Sequence, residues 1–367
     1  MTDWFAQMRR GDFAAAWAIS DEILRTRVRR DDIPRHEQSI WDGTPLAGRR
    51  VLIRCYHGLG DTIQFARFIP LVEEIASAVM VWAQPALIPL LQTMGTGATF
   101  LPLDDGAAAA EYDVDVEIME LGYVFRVTPE TIPPPPYLHV EPAEVEPGIG
   151  VVWEAGHWDP RRSIDFEVLA PLLDGIRFYP LHRDSPGAGT PLQAARLMRA
   201  LPLVITVDTM AAHLAGALGV PVWLLLPRQC DWRWMEGRDD SPWYPGMRLF
   251  RYAKDMSDES RKSLEDWGID VDKFRERAKE SLESARGDLT EITGTLRQTL
   301  VHAKDVLVGL QKTGSPAAAE LKSGFERAWQ EIETAFRNAR ERAKGGAAVE
   351  TPETPDPPAP DDPPSPS

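Results

Sequence analysis

The sequence predicts an α/β protein of two parallel-sheet domains, and three observations carry that prediction. Apolar runs of strand length stand at residues 51–55, 79–82, 98–101, 149–153, 176–181, 203–207 and 222–226. The runs at 203–207 and 222–226 flank one helix and do not alternate, which is the pattern of parallel strands buried on both faces. Helix-period segments separate the runs, as βαβ units require. Between them lies a stretch rich in proline and acid, Thr131-Ile132 with the run 133–136 and then 144–148, which no sheet or helix interior tolerates. It reads as the crossing between the two domains.

Composition bounds the partners. A chain of 367 residues with 43% hydrophobic content can bury one or two full cores. Its net charge of −16 argues against nucleic acid or an anionic membrane surface, both of which call for a basic footprint. Any phosphate must then be held locally by a few groups. Two cysteines, Cys55 and Cys230, cannot make a disulfide framework, and no CxxC or His/Cys cluster is spaced for a metal. The N-terminus makes a poor signal peptide, and no stretch reaches the about 18 apolar residues of a membrane span. A cytoplasmic location is the expectation.

Taken in order, residues 1–30 read as helical, with Trp4, Phe5, Met8, Phe13, Ala16, Trp17 and Ile23 available for one or two packed faces about a turn at Gly11-Asp12. They fit one unit of a helical repeat without a second copy, and a single unit cannot bury its own face. From Arg50 the chain reads VLIRCYHGLGDTIQFARFIPLV: a strand, a glycine-bearing loop, and a helix from Asp61 with Phe65, Phe68, Ile69, Val72 and Ile75 on one stripe. Gly58 and Gly60 permit a turn or a close approach that a Cβ would block. The dinucleotide fingerprint needs a third glycine where Ile63 stands, so dinucleotide binding is disfavoured. Asp61 reads either as the helix N-cap or as a carboxylate presented to a cleft for general base work. Strands at 79–82 and 98–101, with a helix at 86–91, extend the alternation to about Glu117.

The second domain opens with the strand at 149–153, the polar stretch GHWDPRRSID, a helix at 166–173 and a strand at 176–181. Arg161, Arg162 and Ser163 form either a solvated charged loop or a place where guanidinium groups pair with phosphate oxygens. The segment 201–227, LPLVITVDTMAAHLAGALGVPVWLLLP, closes the domain as strand, polar corner, helix ending at Gly219 and strand. At such a corner free N–H groups and the positive end of the helix dipole face outward, so an anion is the natural guest. Asp208 and Thr209 occupy it, equally readable as plain caps, and His213 projects from the same helix face as Thr209.

Beyond Arg251 the pattern changes. Apolar positions from Val271 to Leu310 recur at three and four residues as one long amphipathic helix, and Thr313-Gly314-Ser315-Pro316 turns the chain into a second stripe from Leu321 to Ala343. Such a hairpin must dock or pair with another copy, so a homo-oligomer or protein partner through 271–344 is expected. From Gly345 the proline and acid tail has no apolar periodicity and is expected to be disordered.

The segments WDGTPLAGRRVLI, GLGDTIQFARF, VVWEAG followed by RRSI, and LVITVDTMAAHLAGALGVPVW with DWRW, SPWYP and RLFR resemble a bacterial family. It is the glycosyltransferase-like domain that often follows tetratricopeptide repeats, related to the lipopolysaccharide heptosyltransferases of glycosyltransferase family 9. The resemblance spans about residues 40–252. It implies a GT-B-like pair of Rossmann-like domains facing across a cleft. The chain then divides into a helical segment 1–46, an acceptor-side domain 47–145, a nucleotide-sugar domain 146–256, the hairpin 257–344 and the tail 345–367.

The same resemblance implies inverting, metal-independent transfer from a nucleotide-diphosphate sugar to a glycan or protein hydroxyl, with Asp61 as the base. Gly58, Gly60, Thr62, Gln64, Trp153, Arg162 and Ser163 are expected to line the nucleotide-sugar site with Asp208, Thr209, Met210 and His213. His57, Asp231, Trp232 and Trp234 are expected on the sugar or acceptor side, with core packing a rival for the tryptophans. No cofactor or metal is expected, because oriented N–H groups suffice for a leaving diphosphate. Three places depart from the family's pattern: Tyr56-His57 replaces Glu-Gln, Glu154–His157 replaces Ala-Gly-Asn, and Leu181-His182 replaces Leu-Gln. They keep open a second reading, a catalytically inactive scaffold that binds a nucleotide or glycan and assembles through its C-terminal helices.

Overall fold

Asp3 accepts the Phe5 amide hydrogen and Asp12 that of Ala15, each at 3.0 Å, so α1 (Trp4–Arg9) and α2 (Phe13–Thr26) both open on an aspartate cap. The computed structural model describes residues 3–29, 32–156, 159–252, 264, 268–273 and 275–276. All but the first turn of the expected hairpin at 271–344, and the whole tail at 345–367, lie outside them. Met8, Phe13, Ala16 and Trp17 are buried, but Phe5 is 52% and Ile23 48% exposed, so these two do not join the packed face expected of them. The Trp17 indole donates to the Val127 carbonyl at 2.7 Å and fastens α2 to the α/β body. That body supplies the burial a lone helical unit lacks.

Next come β1 (Arg50–Arg54), α3 (Leu59–Phe65), α4 (Ile69–Ile75), β2 (Ala78–Ala83), α5 (Ile88–Leu91), β3 (Thr99–Pro102), β4 (Val114–Glu117) and α6 (Leu121–Val124). The strands make a parallel sheet in the order β3-β2-β1-β4. The single helix expected from Asp61 is two. It starts at Leu59 and is interrupted by a tighter turn at Ala66–Phe68, with Pro70 in the first turn of α4, where no intrahelical N–H is needed. Asp61 is therefore not the N-cap; Gly58 is. Strand β4 escapes the sequence pattern because VDVE is short and half acidic, yet all four residues are buried.

The second half contributes β5 (Ile149–Val152), α7 (Phe166–Leu173), β6 (Phe178–Pro180), α8 (Pro191–Arg199), β7 (Val204–Val207), α9 (Met210–Ala217), β8 (Val222–Leu226) and β9 (Met247–Arg251). This sheet is also parallel, in the order β6-β5-β7-β8-β9. The α/β class and the pair of Rossmann-like sheets are both present. Helix α9 ends through Gly219 at φ +73°, where the Val220 amide returns to the Ala215 carbonyl at 3.0 Å.

The crossing at 131–148 joins two sheets but not two separate cores. One apolar core runs from Phe13 and Ile53 through Leu138 to Leu214 and Trp243, and a smaller one covers the other face of the second sheet with Ile149, Leu169, Ile205, Phe250, Leu264 and Ile269. Helices α3 and α9 lie in contact, and a Cβ on Gly60 would come within 2.9 Å of the His213 ring and 3.4 Å of the Met210 Cα. A buried guanidinium, Arg67, staples the halves: it donates to the carbonyls of Gln64 (2.8 Å), Pro133 (3.1 Å) and Trp243 (2.7 Å) and to the Tyr137 hydroxyl (3.1 Å). No helix among the described residues is long and apolar enough to cross a membrane.

Candidate functional site

In an open parallel sheet, neighbouring strands whose connections run in opposite directions leave a crevice at their carboxyl ends. Here those strand pairs are β1/β4 and β5/β7. The segments after these strands carry nearly every residue singled out from the sequence. The two crevices are separated by a bridge of three side chains. Arg233, 9% exposed in its side chain, pairs with Asp61 on one side and with Asp231 at 2.8 Å on the other, and its Nε donates to the Gln64 side-chain oxygen at 2.7 Å. Asp61 also accepts the Gly58 amide hydrogen at 2.9 Å. Both carboxylate oxygens of Asp61 are thus engaged, Oδ1 by Arg233 and Oδ2 by Gly58.

The cavity at the β1/β4 end encloses about 360 Å³. Its walls are aromatic, with Trp4, Phe5, Trp17, Phe65, Tyr123, Trp232 and Trp243, and its polar side carries His57, Glu117, Glu120 and Arg27 with Ser20, Gln38 and Ser39. Glu117, at the end of β4 and 1% exposed, accepts from the Met119 amide at 2.6 Å, the Tyr56 amide at 3.3 Å and His57 Nδ1 at 2.9 Å. Burial pushes the Glu117 carboxyl up against the opposing pull of His57. Burial of the His57 ring works against its charged form, but the Glu117 hydrogen bond and charge outweigh it and raise its pKa above the ordinary 6.5. Glu120 is held by Arg27 at 2.7 Å.

The cavity at the β5/β7/β8 end encloses about 240 Å³ and is walled by charge: Asp159, Arg161, Arg162, Asp208 and Asp231, with Pro227, Gln229 and Cys230. Arg162 donates from Nη1 to the Asp208 carbonyl at 2.8 Å, while its Nε is buried with no partner among the described residues. Arg161 pairs with Asp159 at 2.8 Å, which holds that carboxyl below its usual range. Asp208 is the reverse case: burial first, then the nearby Asp231, push its carboxyl up to about 6. An acceptor-only carboxylate cannot bind phosphate oxygens, so Asp208 suits hydroxyls and the arginines suit the anion.

Thr209 is the N-cap of α9, accepting from the Ala211 amide at 3.2 Å, and Met210 follows beneath Gly60. His213 is buried, its Nδ1 3.1 Å from the Tyr244 hydroxyl and its ring stacked on Trp234 at 5.3 Å, and burial drives its pKa well below 6.5. Thr62 is fully buried against Gln84 at 3.0 Å. Trp153 packs on Phe166 and edge-on to His182, and the Ser163 hydroxyl accepts the Ala155 amide hydrogen at 2.9 Å, closing the loop rather than lining a cavity. Trp234 is 1% exposed, so core packing prevails for it, whereas Trp232, 7% exposed, still forms cavity wall. Sequence reasoning does not single out Glu117 or Arg233. Arg233 stands inside DWRW without a pattern of its own, and an acid ending a short apolar run is the only sign of Glu117. Among the described residues no group of three or more His, Cys, Asp or Glu side chains is set to hold a metal.

Comparison with known proteins gives distant likenesses. No protein-family profile matches the chain. Protein FlbA of Caulobacter vibrioides is 25% identical over 271 residues, 57% of this chain and 44% of FlbA, so the chain spans less than half the length of that relative. A glycosyl transferase family 9 structure from Veillonella parvula aligns with a TM-score of 0.45 and 14% identity over 65% of this chain and 98% of that one. The E. coli ADP-heptose lps heptosyltransferase II aligns with a TM-score of 0.43 and 14% identity, over 65% and 99% of the two chains.

Proposed function

We propose that this protein transfers a sugar from a nucleotide-diphosphate sugar to an acceptor hydroxyl, with inversion and without a metal ion. The observation that carries the reading is the pairing of one charged and one aromatic cavity at the two strand crevices, walled by the consecutive residues Asp231 and Trp232. In this reading the diphosphate is held by Arg161 and Arg162, and its charge is neutralised there as it leaves. Asp208 and Asp231 accept from sugar hydroxyls. The aromatic cavity takes the acceptor, whose apolar faces stack on indole.

One observation favours a second reading. With its oxygens engaged by Arg233 and Gly58, Asp61 is poorly placed to take a proton from an acceptor, which suits a scaffold that binds a nucleotide without transferring the sugar. Thermal unfolding of the full chain against ADP-, UDP-, GDP- and dTDP-sugars, together with release of the free nucleoside diphosphate, separates the two. A ligand at 100 times its Kd adds about 2.7 kcal/mol of stability. A selective rise that Arg162→Ala removes, with diphosphate release, supports transfer. A rise without release supports the scaffold, and no rise with any donor overturns both.

A further inference from the structure

We propose that His57, held by Glu117, takes the proton from the attacking hydroxyl, with Glu117 as its positioning residue. This rests on the transferase reading above and assigns the base to a residue other than Asp61. Strands β1 and β4 are parallel neighbours, so the residues that follow Arg54 and end at Glu117 emerge at the same edge of the sheet. There the Glu117 carboxylate accepts from two backbone amides and from His57 Nδ1. With its side chain only 2% exposed, that carboxylate is shielded from a substrate, yet it fixes the ring and, by accepting from Nδ1, leaves the lone pair on Nε2.

His57 Nε2 has no partner among the described residues, and the ring borders the aromatic cavity, its side chain 27% exposed. Asp61, four residues on, lines neither cavity, and each of its oxygens already accepts one donor, from Arg233 and from Gly58. Geometry therefore favours the histidine.

In the step itself, Nε2 takes the hydroxyl proton as the acceptor oxygen forms its bond to the anomeric carbon. The bond from that carbon to the diphosphate oxygen breaks, and its electron pair leaves with the diphosphate. The products are the inverted glycoside, the nucleoside diphosphate and an imidazolium that Glu117 stabilises, which then releases its proton to solvent. Glu120 is paired with Arg27 and Glu117 with His57 on that side of the cavity, so its carboxylates are balanced and the aromatic walls set what fits.

The charged groups facing His57 are Glu117 and Glu120 at the end of β4, Asp61 from α3, Arg233 from the turn Trp232–Trp234, and Arg27, which pairs with Glu120. The carboxylates hold the ring charged, and Arg233 opposes them. A neutral ring is the active base, so turnover rises with pH through a midpoint above 6.5.

The test measures donor hydrolysis by the full chain between pH 5 and 9, with ADP-, UDP-, GDP- and dTDP-sugars as probes and water standing in for the acceptor hydroxyl. His57→Ala is expected to lower turnover by about 10²–10⁴ and to flatten the acid limb, with partial rescue by added imidazole. Glu117→Gln removes the anionic partner and leaves burial, so the acid limb moves to lower pH. Merely structural residues would not move that limb. Unfolding temperature and nucleotide-induced shift of each variant, matched to the parent chain, certify its fold. Turnover that keeps its acid limb in His57→Ala but loses it in Asp61→Asn overturns the assignment and leaves transfer standing. Donor binding without turnover in the parent chain overturns the transferase reading and the base with it.

Discussion

The two cavities stand at equivalent places on two similar sheets, yet one is walled by rings and the other by charges. The difference traces to the segments that leave the strands. After β1 and β4 the chain is covered by α1 and α2, which bring Trp4, Phe5 and Trp17 over a single polar edge. After β5 and β8 the loops carry Arg161, Arg162, Asp159 and Asp231 with no helical cover among the described residues. The same sheet architecture thus supplies two crevices, and the connections decide their chemistry. Between them Arg233 satisfies a carboxylate from each side, so neither cavity is electrostatically independent of the other.

The largest test asks whether the two sites rise and fall together. Arg67→Leu strips the donor from two buried carbonyls and a half-buried one and is expected to cost about 3–5 kcal/mol in urea unfolding, since each orphaned buried group carries a desolvation penalty of about 1–3 kcal/mol. Because one core spans both halves, tryptophan fluorescence and nucleotide binding should be lost in one transition. Two transitions would mean that the cavities belong to separable bodies.

A smaller effect belongs to the charged cavity alone. Asp208, with its carboxyl raised to about 6, is ionised at pH 7 at a cost that its unfolded form does not bear. The native state binds the extra proton between about pH 4 and pH 6, so stability falls as pH rises through that window and is greatest below it. Asp208→Asn should therefore stabilise the fold by up to about 3 kcal/mol at pH 7 and by almost nothing below about pH 4, read from denaturant midpoints at several pH values. A pH-independent difference would show that the aspartate titrates as a solvated group. The smallest effect falls on the aromatic cavity: Phe5→Ala, at a side chain 52% exposed, should change stability by no more than about 0.5 kcal/mol. A larger loss in the same unfolding assay would show that the rim is structural.

Much of this is legible in the chain. Mainly apolar runs mark seven of the nine strands among the described residues, and the polar corners after them locate Asp208, Thr209, Arg162 and His57. The strands that escape are short or mixed. VDVE and MRLFR carry two charges each, and a strand of four or five residues buried by its neighbours need not look apolar by itself. His213 reads as facing a ligand, but the same helix face that points to the crevice also meets Tyr244 and α3, and Trp234 stacks on the His213 ring rather than facing a ligand. Periodicity reports a face, not what covers it.

The sequence by itself determined the α/β class, the proline-rich crossing and the polar residues at strand ends, because each depends on local periodicity and on residues that cannot enter a sheet or helix. Only the tertiary structure decided which of those residues meet. Arg233 reaches Asp61 across 172 positions of sequence, and His57 finds Glu117 across 60. Such pairings depend on two strands lying side by side and two helices touching at Gly60, and no window of local sequence contains both partners.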